Sequence, residues 1–128
     1  MKICRPINLS EYSSRWVYPN GKCVDFEVEE EGETNDLAIR VAKDLEAIHD
    51  QALKLLISFM KDTGTFNLDY VHVFAQKTAE YEDFFLSFSF TADRNPHEYG
   101  YTYFKVFFAS HEPPQPPFWP FKFTVGFY

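Results

Sequence analysis

The chain is poor in the residues on which most small catalytic and metal sites depend. Its 128 residues include two cysteines, five glycines and four histidines. Cys4 and Cys23 form no CxxC pair, so the sequence predicts two reduced thiols rather than a disulfide framework or a zinc knuckle. No glycine-rich loop precedes a predicted helix to hold phosphate, and no HxH, HxxxH or HExxH spacing indicates a metal. We therefore expect no metal and no cofactor.

Basic residues are also scarce. Twelve lysines and arginines stand against nineteen acids, which gives a formal net charge of −7. An acidic surface repels phosphate backbones and anionic lipid headgroups, so nucleic acid and membranes are disfavoured as partners and a basic protein is favoured. The apolar runs are shorter than a bilayer span, and the first residues lack the apolar core of a signal peptide. We expect a cytoplasmic protein.

Aromatic residues are abundant, at 20% of the chain, and they are unevenly distributed. Thirteen of the fifteen phenylalanines lie from Phe66 onward, whereas residues 25–36 hold seven acids and no base. With 45% hydrophobic residues, this composition is that of a folded protein. The length predicts a single domain over residues 1–128, in which an acidic segment precedes an aromatic-rich β half.

The hydrophobic patterns predict an α+β fold. A hairpin is indicated over residues 15–29, since Asn20-Gly21 suits its turn, and its second strand alternates apolar with acidic side chains. Residues 36–61 have the i, i+3, i+4, i+7 apolar spacing of one long helix that ends before Gly64. Alternating strands follow at residues 69–77, 83–92, 101–109 and 119–128. We expect an antiparallel meander in one sheet of about five or six strands, with the helix packed on one face.

Two polar clusters are the candidates for catalytic chemistry. In a meander, one end of the sheet would bring together Glu80, Glu82, Asp83, His111 and Glu112. A carboxylate–imidazole group of this kind is what general acid–base catalysis requires. The loop at residues 93–98, at the opposite end, holds a second polar group. Polar hairpin ends and capped turns explain both clusters without catalysis, so we interpret the protein as non-enzymatic and leave the role of the first cluster open.

The aromatic and acidic surfaces favour protein recognition. Aromatic side chains give large, rigid contact areas, and acids accelerate association with a basic partner by long-range steering. Two alternatives stay open: a small-molecule module or enzyme with an aromatic-lined pocket on the sheet, and a structural subunit that homodimerises through the same face. The predicted partner-binding residues are Asp25, Glu27, Glu29, Glu31, Tyr70, His72, Tyr101, Tyr103 and Phe107.

In size, charge and element order, the whole chain resembles the small acidic α+β immunity proteins that bacteria encode beside secreted or contact-delivered toxins. The hairpin at residues 16–28 with its acidic face, the helix at residues 36–61 and the closing strand at residues 118–128 carry this resemblance. Those proteins share no common binding motif, so the resemblance assigns no role to any residue. It implies a stoichiometric inhibitor that occludes the catalytic domain of a basic toxin in the cytoplasm.

Overall fold

One mixed sheet organises the part of the chain that the computed structural model describes, namely residues 5–8, 13–19, 21–29, 33–74, 83–109 and 117–128. Its seven strands lie side by side in the order of the chain, and only β3 and β4 are parallel. The elements in chain order are β1 (Arg5–Asn8), β2 (Ser13–Val17), β3 (Cys23–Val28), α1 (Glu33–Lys43), α2 (Leu45–Phe59), β4 (Gly64–Val73), β5 (Phe84–Ala92), β6 (Thr102–Ala109) and β7 (Trp119–Phe127).

The hairpin of β2 and β3 follows the sequence pattern. Its strands are antiparallel, with Trp16 opposite Val24. Gly21 in the connecting turn has φ 84°, a left-handed conformation that glycine adopts without steric cost. In β3, Phe26 is buried in the core whereas Glu27, its neighbour in the chain, is exposed. The predicted hairpin with one core face and one acidic face is therefore confirmed.

Two helices take the place of the single long helix that the apolar spacing predicted. The chain leaves helical geometry at Asp44, which has φ −105° and ψ 12°. The Asp44 amide donates to the carbonyl oxygens of both Arg40 and Val41, each at 3.2 Å. Aspartate is a weak helix former that favours the position before a helix, and Asp44 directly precedes α2. One non-helical residue changes the apolar spacing little, so the periodicity continues across the break.

The helical connection also makes the sheet mixed rather than antiparallel. Both helices lie between β3 and β4 in the chain, and such a crossover allows β4 to run parallel to β3, with Phe26 opposite Val71. From β4 to β7 the strands form the expected antiparallel meander. The expectation of a wholly antiparallel sheet thus fails at one pairing. The four-residue β1 raises the number of strands to seven.

Both helices contribute to one core with a single face of the sheet, as the sequence predicted. The hydroxyl of Tyr18, directly after β2, links the hairpin to the helices by donating to the carbonyl oxygen of Ala42 at 3.0 Å. The large core side chains include Leu37, Val41, Leu45, Ile48 and Leu56 from the helices and Phe26, Val71, Phe84, Leu86, Phe88, Phe104, Val106 and Phe108 from the strands.

Candidate functional site

The sheet face opposite the helices, which we call the open face, carries the aromatic and charged side chains of interest. Successive residues of a strand point to opposite faces, so the strand residues that alternate with the core positions share this side. Asp25 lies opposite Tyr70 and Glu27 lies opposite His72 across the β3–β4 pair, so these four side chains are neighbours on this face. The open face comprises Arg15, Asp25, Glu27, Tyr70, His72, Phe85, Ser87, Tyr103, Lys105, Phe107 and Lys122.

One end of the open face is acidic and is organised around His72. Its Nδ1 lies 3.3 Å from Oε2 of Glu27, and its Nε2 lies 3.5 Å from Oε2 of Glu29. On the other side of β3, Nε of Arg15 donates to Oδ1 of Asp25 at 2.8 Å, and this ion pair raises the Arg15 pKa. The side chains of Glu27 and Glu29 remain 53% and 42% exposed, so both carboxylates face solvent while they contact the imidazole.

A row of rings extends from His72 across the middle of the sheet. His72 stacks on Phe85 with ring centroids 5.0 Å apart, and Tyr70 meets the same ring edge-on at 5.9 Å. Phe107 continues the row, 5.2 Å from Phe85 and 6.5 Å from Phe74. Phe85 and Phe107 are only 6% and 9% exposed, although neither belongs to the core under the helices. The rings therefore form a second, thinner apolar layer that is packed before any partner arrives.

The other end of the open face is basic. Nζ of Lys105 lies 4.7 Å from the centroid of Phe85 and 4.9 Å from that of Tyr103. Nζ of Lys122 lies 4.7 Å from the centroid of Phe107. Ammonium groups at this distance are attracted to the negative face of an aromatic ring. From β3 to β6 the sheet spans three strand spacings, so the acidic and basic ends are about 14 Å apart.

Two further groups at the middle of the sheet have altered proton affinities. Partial burial raises the pKa of Tyr70, an effect that a hydrogen bond with Ser87 opposes. Tyr70 therefore stays protonated at neutral pH and can donate a hydrogen bond. Partial burial also raises the pKa of Asp69, whose Oδ1 accepts from the Ser89 hydroxyl at 3.2 Å. Within the described ranges, no group of three or more His, Cys, Asp or Glu side chains could hold a metal ion.

The structure places most of the predicted partner-binding residues together. Asp25, Glu27, Tyr70, His72, Tyr103 and Phe107 lie on the open face, and Glu29 joins them through His72. Tyr101 precedes β6 in a turn and is 78% exposed, while Glu31 lies outside the described residues. The residues that the sequence reasoning left out are Phe74, Phe85, Lys105 and Lys122. Alternation within each strand indicates a shared face for Phe74 with His72, for Phe85 with Ser87 and for Lys105 with Phe107. Their contacts across strands depend on the strand order.

The structure describes the loop at residues 93–98 fully, but only one residue of the acid–base cluster. Of the acid–base candidates, only Asp83 lies in a described part of the chain, where it is buried directly before β5. The described residues do not include Glu80, Glu82, His111 or Glu112. The loop at residues 93–98 is an exposed turn, in which the His97 amide donates to Oδ1 of Asn95 at 3.1 Å. A side-chain oxygen that accepts from a nearby amide is the ordinary way of closing such a turn.

Comparison of the chain with protein-family models, with curated proteins and with solved structures finds no match. Neither described helix is long and apolar enough to cross a bilayer. The resemblance to bacterial immunity proteins thus stays a hypothesis, and the open face itself must support any functional proposal.

Proposed function

We propose that the protein is a non-enzymatic binding protein whose open face engages a basic segment of a partner protein. The observation that carries this proposal is the position of His72, which contacts both Glu27 and Glu29 while it stacks on Phe85. Carboxylates and aromatic rings therefore lie side by side on one surface. A lysine or arginine of a partner would find an ion pair and a ring at the same place.

The chain's own lysines support this chemistry. Lys105 and Lys122 already place their ammonium groups against Phe85 and Phe107, so the ring row accepts cations. Arginine would suit the acidic end best, because its planar guanidinium can stack on a ring while it donates to a carboxylate. Tyr70 and Phe74 are half-buried rings near this end and would provide the stacking surface.

The arrangement also favours fast and oriented binding. The net charge of −7 and the acids of β3 attract a basic protein from a distance, which raises the association rate more than the lifetime of the complex. The rings are held by mutual contacts, so little side-chain entropy is lost when they are covered. Because the opposite end of the face carries lysines, a partner with uneven charge would bind in one orientation.

The specific form of this proposal is an immunity protein that neutralises a cognate bacterial toxin in the cytoplasm by covering its active site. It rests on the resemblance in size, charge and element order. Toxin domains that act on nucleic acid are commonly basic, because they must bind phosphate. An acidic open face would compete for the same surface.

A pull-down with the tagged protein from its source organism, washed at low and at high salt, tests the proposal. We expect one stoichiometric basic protein that is weakened or lost at high salt. The E27K/E29K variant should lose it, whereas D93K/E98K, with the same change of charge in the β5–β6 loop, should retain it. No partner at either salt would contradict the proposal, and equal loss in both variants would contradict the role of the open face.

A further inference from the structure

The last strand of the sheet has an edge that is unusually open to pairing. Among the described residues, β7 pairs with β6 on one side only. The opposite end of the sheet is β1, a four-residue strand that contains Pro6, and a proline without an N–H weakens an edge. β7 has nine residues, and the five from Phe123 to Phe127 include neither a proline nor a charge. Long uncharged edges of this kind tend to pair with another strand.

Exposed apolar side chains gather beside this edge. Phe127 is 75% exposed and Val125 is 42% exposed. Phe59, at the end of α2, is 60% exposed and meets Phe123 edge-on with centroids 4.9 Å apart. Together with Phe121, these exposed fractions would bury on the order of 800 Å² over two copies, the size of a weak and reversible interface.

The charge of this region differs from that of the rest of the molecule. Residues 117–128 contain one lysine and no acid, in a chain of net charge −7. The acids of β3 lie four strand spacings from β7, about 19 Å away, which exceeds the Debye length of about 8 Å at physiological salt. A basic partner finds no acidic side chain here, and a second copy meets little repulsion.

We propose that two copies of this chain associate through antiparallel pairing of their β7 edges, about a two-fold axis at Thr124. Such a register places Phe123 of each copy beside Val125 of the other and keeps matching faces together. Lys122 of each copy then lies opposite Gly126 of the other, and the two lysines are about 14 Å apart along the strands. The sheet becomes continuous across the dimer, and the two open faces stay available for partners.

Sedimentation velocity over a range of protein concentrations tests the proposal. We expect a reversible dimer in the wild type and at least a tenfold higher dissociation constant in V125E and in F127E. I57E is the matched control, because Ile57 is 61% exposed on α2 but lies about 200° around the helix from Phe59. Circular dichroism establishes that each variant is folded. A monomer at every concentration, or a dimer that V125E and F127E leave intact, would overturn the proposal.

A cross-linking measurement tests the same contact without depending on affinity. In a background with Cys4 and Cys23 replaced by serine, T124C should form a disulfide-linked dimer under mild oxidation. Residues directly opposite in an antiparallel pair have Cβ atoms about 4.5–5.5 Å apart, close to the range of a disulfide. I57C serves as the control for random collision. A T124C dimer no more abundant than the I57C dimer would overturn the register centred on Thr124.

Discussion

His72 stacks on Phe85 with an interplanar angle of 15°, while its two nitrogens reach Glu27 in β3 and Glu29 directly after that strand. A single imidazole thus joins the acidic end of the open face to the row of rings. The relationship depends on the parallel pairing of β3 with β4, which places Glu27 directly opposite His72. An antiparallel arrangement of those two strands would have given His72 different neighbours.

The first prediction separates the two contacts of His72. The carboxylates are about half exposed, so their contacts with the imidazole contribute less than about 1 kcal/mol. The stacked ring contributes more, through packing and burial. We expect H72F, which retains a ring, to unfold in urea with a free energy within about 1 kcal/mol of wild type. H72A should lose about 1–2 kcal/mol more. Equal losses in the two variants would contradict this division.

The strands show how far the sequence pattern reaches. Phe84, Leu86 and Phe88 alternate with Phe85 and Ser87, and the structure buries the first set under the helices and turns the second to the open face. Period-two alternation predicts this because strand geometry alone determines it. Local pattern is therefore sufficient to assign faces within a strand.

β4 shows where the pattern fails. A bulge lies between Leu68 and Tyr70, so Phe66 and Leu68 contact the core before it, whereas Val71 and Val73 are core residues after it. The extra residue reverses the parity of the alternation. The sequence pattern predicts a strand from residue 69, whereas β4 begins at Gly64. The local sequence pattern also does not reveal that β4 pairs in parallel with β3, because that pairing depends on the path of the helices. The contacts of Lys105 and Lys122 with the rings depend instead on the register of the β5–β6 and β6–β7 pairs.

The second prediction concerns pH and His49 in α2. His49 is partly buried, with its ring 5.6 Å from that of Phe88, and burial lowers its pKa, an effect that Asp50 opposes. The unfolded chain, with a histidine pKa of about 6.5, then binds more protons than the native state, so this residue reduces stability as the pH falls below that value. Urea unfolding of H49L should show a smaller loss between about pH 7.5 and 5.5 than the wild type.

The control for this measurement is H97Q, which removes an exposed histidine from the β5–β6 loop. The acids of the protein also titrate as the pH falls, so the informative quantity is the difference between wild type and H49L at each pH. A difference that does not change with pH would exclude the burial of His49 as a source of acid sensitivity.

The third prediction compares two glycines of the meander, Gly64 in β4 and Gly126 in β7. A Cβ at Gly64 would lie 2.9 Å from the Cα of Ala92 and closer still to the carbonyl oxygen of Thr91. Paired backbone cannot yield without loss of the β4–β5 pairing, so G64A should cost about 2–3 kcal/mol in urea unfolding. A Cβ at Gly126 would instead overlap the ring of Tyr103, a half-exposed side chain that can turn towards solvent. G126A should therefore cost less, and the reverse order would contradict the close approach at Gly64.

The last prediction concerns the kinetics of partner binding by the open face. Once the basic partner is isolated, the E27K/E29K variant should associate at least about tenfold more slowly at low salt, because two acids that steer the encounter become bases. Its dissociation rate should change less, since Glu27 and Glu29 remain about half exposed and contribute little to close packing. The D93K/E98K variant has the same net charge and controls for the overall field. Stopped-flow association rates at low and physiological salt measure both effects. An association rate for E27K/E29K that matches D93K/E98K at low salt would show that the acids of β3 have no special role in steering.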